Sequence, residues 1–136
     1  MDKINTKSIR NVCLMGHGNS GKTSLCEAML YLAKVTDRLG RTPEGNTVSD
    51  YDAEEIKRGF SLSASVAPFM WKDIKINILD TPGYLDFAGE VLEGIRVADS
   101  ALIVVDGRNG VEVGTELAWD YAEKERIPKA FFINRF

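Results

Sequence analysis

Apolar residues fall into two alternating patterns along this chain, and the alternation predicts the architecture. Val12-Cys13-Leu14-Met15 is an unbroken apolar run that stops at Gly16, which predicts a strand buried on both faces. Gly-rich residues follow, and from Thr23 to about Lys34 the residues Leu25, Ala28, Met29 and Leu32 recur at helical spacing. Ser61 to Val66 alternates with period two and predicts a half-buried strand. Trp71-Lys72-Asp73 can turn the chain, and Ile74, Ile76 and Ile78 share one side of a second strand ending at Asp80. That pair predicts an antiparallel hairpin. After Thr81-Pro82-Gly83, a helix face is marked by Phe87, Val91, Ile95 and Ala98. Ala101 to Val105 predicts another buried strand, and a helix carrying Val113, Leu117, Trp119 and Tyr121 follows it. Ala130-Phe131-Phe132-Ile133 predicts one more buried strand. Strands alternating with helices imply an α/β fold: a mostly parallel sheet with helices on both faces and one antiparallel hairpin.

Two stretches depart from this rhythm. From Thr36 to Gly59 the periodicity fails, and a connection of that length is usually functional or disordered. The apolar stripe Leu117, Trp119, Tyr121 and Ala122 reads as core, and the charged run Glu54 to Arg58 reads as a solvated face. A parallel sheet is expected to close with a covering helix, and none follows Ile133. The expectation is a C-terminally incomplete fold, part of a longer chain, that self-associates through the surface left uncovered.

Composition narrows the function classes. At 136 residues the chain is one domain, large enough for a real core. A net charge of −3 disfavours binding DNA by bulk charge, although it permits a local phosphate site. Cys13, Cys26 and the single histidine His17 exclude a disulfide scaffold, a four-cysteine zinc site and a histidine-rich metal centre. The cysteines read as packing residues. No apolar run reaches ~18 residues, so no membrane-spanning helix is expected. Met1-Asp2-Lys3-Ile4-Asn5 lacks the order of a signal peptide, and the expected compartment is the cytoplasm.

Chemistry concentrates in two short motifs. Gly16-His17-Gly18-Asn19-Ser20-Gly21-Lys22-Thr23 fits G-x-x-x-x-G-K-[ST] between a buried strand and a helix start. Glycines let backbone N–H groups turn inward around a phosphate, and the helix N-terminus adds partial positive charge. Lys22 can reach β- and γ-phosphates, and the Thr23 hydroxyl can ligate Mg2+. Asp80-Thr81-Pro82-Gly83 closes a later strand, where Asp80 can hold Mg2+ through a water and Gly83 can offer its N–H to a γ-phosphate. Ser61 could be a second hydroxyl ligand to Mg2+. The competing readings are a chance Gly-rich turn, an ordinary Asp-Thr-Pro-Gly turn and a strand-capping serine.

Taken together, these motifs resemble the G domain of translational GTPases, a branch of the P-loop NTPases, and elongation factor G in particular. The resemblance runs over residues 1–136, as the N-terminal part of such a domain cut within its guanine-recognition motif. Thr47-Val48-Ser49-Asp50-Tyr51 with Glu54-Glu55 and Arg58-Gly59-Phe60-Ser61-Leu62 resembles the first switch, about 36–61. Asp80-Thr81-Pro82-Gly83-Tyr84-Leu85-Asp86-Phe87 resembles the second, about 80–98. Val105-Asp106-Gly107 with Gly110-Val111-Glu112 fits as well, and Phe132-Ile133-Asn134 approaches Asn-Lys-x-Asp. The resemblance implies a nucleotide-binding set of Gly16 to Ser24, Asp80 to Tyr84 and Asn134, with Thr23, Ser61 and Asp80 serving Mg2+. Lys22, Gly83 and Tyr84 take the catalytic positions.

Four departures from the family pattern bear on mechanism. Ser61 stands where Thr is usual and keeps the hydroxyl. Tyr84 stands where His orients the attacking water, and a phenol cannot carry positive charge. Among relatives, the elongation-factor-G-like paralogs share that Tyr. Asn19 replaces an Asp that helps hold a monovalent cation, so Asn19 is a candidate potassium ligand. Arg135 and Phe136 follow Asn134, and the base-reading Asp lies past the chain's end. The resemblance therefore implies a GTP-binding and GTP-hydrolysing domain of a translation factor, with the ribosome as partner and GTP/GDP as substrate and product. Tyr84 motivates an alternative, a GTP-dependent ribosome-binding switch with little or no turnover. A third class, an ATP-using phosphate-loop protein such as a kinase, is disfavoured by Asp-Thr-Pro-Gly after a hairpin.

Overall fold

A computed structural model describes residues 4–84, 86 and 88–135. The expectations placed on Leu85, Phe87 and Phe136, and on Met1 to Lys3, lie outside the described residues. Five strands form one sheet: β1 (Ile9–Met15), β2 (Ser65–Trp71), β3 (Ile74–Asp80), β4 (Ser100–Asp106) and β5 (Lys129–Asn134). Their order is β2-β3-β1-β4-β5; β2 runs antiparallel to β3 and every other pairing is parallel. Among the described residues, four α-helices accompany them: α1 (Lys22–Leu32), α2 (Ala53–Arg58), α3 (Ala88–Val97) and α4 (Val113–Lys124).

The all-apolar strands are explained by a core on each side of the sheet. In β1, Cys13 and Met15 face α3 and α4 with Leu79, Ile95, Ile103 and Ala118, while Leu14 faces α1 with Cys26, Leu30, Phe69 and Ile78. Alternate side chains point to opposite faces, so a strand covered on both sides must be apolar throughout. Both cysteines are buried free thiols, as a packing role requires. Burial pushes the Cys13 thiol up to about 12.

Local patterns mislead in five places. First, the hairpin's leading strand starts at Ser65, not Ser61. Leu62 N–H and Ser63 N–H donate to Glu55 Oε1 (2.9 and 3.1 Å), and Ala64 N–H donates to Glu90 Oε2 (2.6 Å). Donors that a ladder would have used are thus taken by carboxylates, and the strand runs instead through Pro68 to Trp71. An edge strand tolerates that proline. Second, the long connection is not featureless. It contains a 3-10 turn at Thr42–Glu44 and then α2, where Asp52 accepts from Glu54 N–H and Glu55 accepts from Asp52 N–H. Glu55 is buried, so the charged run is not wholly a solvated face.

Third, α1 turns Lys22, Cys26 and Leu30 inward, a stripe of i, i+4, i+8, and leaves Leu32 exposed. Fourth, α4 approaches β4 through Gly114, Thr115, Ala118 and Ala122, small side chains that allow close packing, and leaves Trp119 part-exposed on Phe131. Fifth, β5 is not buried. Phe131, Phe132 and Ile133 are 52%, 39% and 51% exposed, because an edge strand has one neighbour, and α4 reaches β5 through the Trp119–Phe131 stack and the Lys129–Glu123 ion pair.

Candidate functional site

In an open parallel sheet, ligands bind outside the carboxyl ends of the strands, where the order reverses. Here that point is the end of β1, between β3 and β4. The loop 16–21 leaves β1 there and feeds α1, Asp80 ends β3, and Asn134 ends β5. Beside them lies a pocket of about 520 Å³ lined by Gly18, Asn19, Lys22, Thr23, Ser24, Ser61, Gly83 and Tyr84, among others.

Backbone geometry explains two of the glycines. Gly21 has φ +98°, in the left-handed region, and a Cβ there would strike the Asn134 amide. A Cβ on Gly83 would strike Lys22 Nζ and lie 2.7 Å from Gly18 N. The second motif can therefore close on the first only as glycine. Thr81 locks that approach by donating its hydroxyl to Leu14 O at 2.6 Å, and Pro82 is fully buried beside it.

Lys22 folds back over the loop and donates to His17 O (2.8 Å) and Gly16 O (3.2 Å). Burial drives its pKa down to about 8, against the pull of Asp80 and Asp50. His17 points outward: its Nδ1 accepts from Gly114 N–H at 3.2 Å, tying the loop to the start of α4. Ser20 is buried, and its carbonyl accepts from Asn134 Nδ2 at 3.1 Å. The β5 residue thus braces the loop across 114 positions of sequence.

Below Lys22 lies an oxygen cluster. Thr23 Oγ1 donates to Asp80 Oδ2 at 2.9 Å, and Ser61 Oγ donates to Asp50 Oδ1 at 2.6 Å. The two hydroxyl oxygens stand 3.2 Å apart, within hydrogen-bond distance, and either can donate to the other. Asp80 Oδ1 and Asp50 Oδ2 are buried without a partner among the described residues. Burial raises the Asp80 carboxyl to about 6 and raises Asp50 as well. Hydroxyl and carboxylate oxygens with surplus negative charge suit a hard divalent cation such as Mg2+. Ser61 caps no strand here.

Most of the expected site residues are therefore brought together; the exceptions are His17, whose side chain faces α4, and Thr81 and Pro82, whose side chains turn into the interior. Ser24 also lines the pocket. The sequence pattern assigns Asp50, Glu55 and Phe60 no separate role, but the fold does. Asp50 completes the oxygen cluster, Glu55 holds the backbone that carries Ser61, and the Phe60 ring packs on Tyr84 at 4.5 Å. No short-range signal separates Asp50 from its neighbour Asp52. Arg135, in the place of the family's Lys, pairs with Asp106 at 3.3 Å.

A phosphate-binding loop entering a helix, a hydroxyl–carboxylate cluster and a mostly parallel sheet define a nucleotide-binding domain of the phosphate-loop class. Over residues 7–136 the chain matches the family described as the elongation factor Tu GTP binding domain, and it belongs to that family. Ribosome-releasing factor 2, mitochondrial, of Danio rerio is 44% identical over 127 residues, covering 93% of this chain and 17% of the relative. The Anopheles gambiae protein of the same name is 40% identical over 132 residues, covering 97% of this chain and 18% of the relative. A crystal structure from Thermus thermophilus superimposes with TM-score 0.90 at 41% identity, covering 93% of this chain and 19% of that one. The bacterial selenocysteine-specific elongation factor EF-Sec gives TM-score 0.69 at 26% identity, covering 90% of this chain and 19% of that one. The chain thus spans less than a fifth of the length of these relatives. Among the described residues, no helix is long and apolar enough to cross a membrane.

Proposed function

We propose that this chain is the GTP-binding and GTP-hydrolysing part of an elongation-factor-G-like translation factor that acts on the ribosome. The oxygen cluster carries the reading: the Thr23 and Ser61 hydroxyls and the Asp80 and Asp50 carboxylates meet beside Lys22, with two buried carboxylate oxygens unpartnered among the described residues. In this reading the amides of Gly16 to Ser24 cradle the phosphates, and Lys22 exchanges its loop carbonyls for phosphate oxygens. Thr23 and Ser61 would hold Mg2+, with Asp80 assisting through a water. Gly83 offers its N–H to the γ-phosphate, and Tyr84 lies beside the reacting group. Asn134 braces the loop and borders the base. Bound Mg2+ would neutralise charge on the β- and γ-phosphates. Ser61 comes from the first switch and Gly83 from the second, so loss of the γ-phosphate would release both segments.

Relatives named as ribosome-releasing factors support the ribosome as partner. A monovalent cation at Asn19 is proposed separately, and turnover that is equal in potassium and sodium buffers refutes it. The compartment is proposed to be the cytoplasm; the named relatives are mitochondrial, and imaging of the tagged complete gene product separates the two. The test of the main reading is phosphate release from GTP by that gene product, with and without ribosomes. Strong ribosome stimulation supports the GTPase. Tight GTP binding without release supports the switch with little turnover. Preference for ADP over GDP refutes both.

A further inference from the structure

Two uncharged side chains of the pocket touch across it. Asn19 Nδ2 donates to the Tyr84 hydroxyl oxygen at 3.3 Å, joining residues 65 positions apart. Three features aim this contact. Asn19 has φ +61°, a left-handed conformation that Asn tolerates better than most side chains. Gly18 lets the ring down onto the loop, since a Cβ there would lie 3.0 Å from Tyr84 Cζ. Phe60 backs the ring at 4.5 Å between centroids, tilted by 48°.

The direction of the hydrogen bond matters. An amide NH2 only donates, so the phenol oxygen accepts and its own hydrogen is not used in this contact. Among the described residues, the hydroxyl donates to no other group. Asn19, Phe60 and Tyr84 all line the pocket that Lys22, Thr23 and Gly83 border. We propose that Asn19 is a positioning residue that, with Phe60 behind the ring, directs the Tyr84 O–H into the pocket as a donor to the terminal phosphate of a nucleoside triphosphate. Tyr84 then acts as a hydrogen-bond donor to developing negative charge and takes no proton. Accepting from Asn19 polarises the phenol and strengthens its donation. The inference rests on the phosphate-site reading above and adds a specific preference for triphosphate over diphosphate.

The test is a double-mutant cycle in the complete gene product, using Tyr84→Phe, Asn19→Gly and the double variant. Glycine keeps the left-handed backbone and removes the amide donor. Binding of GDP and of the non-hydrolysable β,γ-imido analogue of GTP is measured by fluorescence, and phosphate release is measured separately. Tyr84→Phe is expected to weaken the triphosphate analogue about tenfold, the size of a hydrogen bond to a charged group, and to leave GDP within about twofold. Asn19→Gly is expected to cost about three- to fivefold alone and nothing further once Tyr84 is Phe. Losses that multiply in the double variant, or that fall equally on GDP and triphosphate, overturn the proposal. Absence of phosphate release from the native protein would count against the GTPase reading only, because the binding cycle judges the Asn19–Tyr84 unit independently.

Discussion

Replacing Asp80 by Asn should stabilise the nucleotide-free protein at pH 7 while removing a carboxylate from the proposed cation site. Asp80 ends β3 with 1% of its surface exposed; Oδ2 accepts from Thr23, and Oδ1 has no partner among the described residues. Burial lifts its carboxyl from 3.8 to about 6, with the Thr23 hydroxyl and Lys22 pulling the other way. A folded pKa above the unfolded one favours folding of the protonated form. The contribution is therefore complete below about pH 4 and is lost as pH rises through about 6. At pH 7 the difference of about two pKa units corresponds to about 3 kcal/mol of buried-charge cost, at ~1.36 kcal/mol per unit. Asparagine removes the charge and still accepts from Thr23, but its amide hydrogens lack an acceptor, which costs ~1–2 kcal/mol. The net gain is then about 1–2 kcal/mol. Urea denaturation in EDTA without nucleotide measures it, at pH 5 and pH 7. Asp80→Asn should be the more stable protein at pH 7, and the gap should shrink at pH 5. An equal or lower stability of the variant at pH 7, with an unchanged pH slope, would refute the reasoning.

Other outcomes follow from named contacts. Glu55→Gln weakens the hold on Leu62 N–H and Ser63 N–H, so it should cost ~1–3 kcal/mol and raise proteolytic cleavage near Ser61, read by limited trypsin and chymotrypsin digestion. Gly83→Ala places a methyl against Lys22 Nζ and Gly18 N, and should cut triphosphate affinity by at least about tenfold in equilibrium titration while leaving the circular dichroism spectrum unchanged. Lys22 has its pKa lowered to about 8 from 10.5, so its own contribution to the stability of the nucleotide-free protein grows from about pH 8 to 10, against the loss caused by the raised thiols of buried Cys13 and Cys26; in one denaturation series the stability difference between the native protein and Lys22→Met should therefore move in favour of the native protein over that range. Phe132 is exposed on edge strand β5, so light scattering at high concentration should show this chain associating and Phe132→Lys associating less; a strictly monomeric native chain would overturn the expectation.

Much of the fold was legible along the chain, because strands and helices announce themselves through neighbours two to four positions apart. β1 and β4 lie where apolar runs predicted them, β3 where alternating isoleucines did, the hairpin is antiparallel, and Gly16 to Thr23 sits between strand and helix. Burial was legible only where both sides of the sheet are covered. Phe131 to Ile133 reads like Ala101 to Val105 but lies at an edge, and sheet order is not encoded in any single run.

What one dimension determined about this protein was its chemical vocabulary: a phosphate loop, an Asp-Thr-Pro-Gly turn, a serine at the end of a long connection. Tertiary structure decided which polar residues of that connection turn inward. Asp50 and Glu55 read like the solvated acids around them. They are buried because the 36–61 segment folds back over α1 and delivers them to Ser61 and to the backbone of Leu62 and Ser63. The Asn19–Tyr84 bond was likewise out of reach, since it forms only when parallel pairing of β1 with β3 brings the two strand ends side by side. Local residue pattern sets what each segment can do, whereas closure of the sheet sets which segments meet.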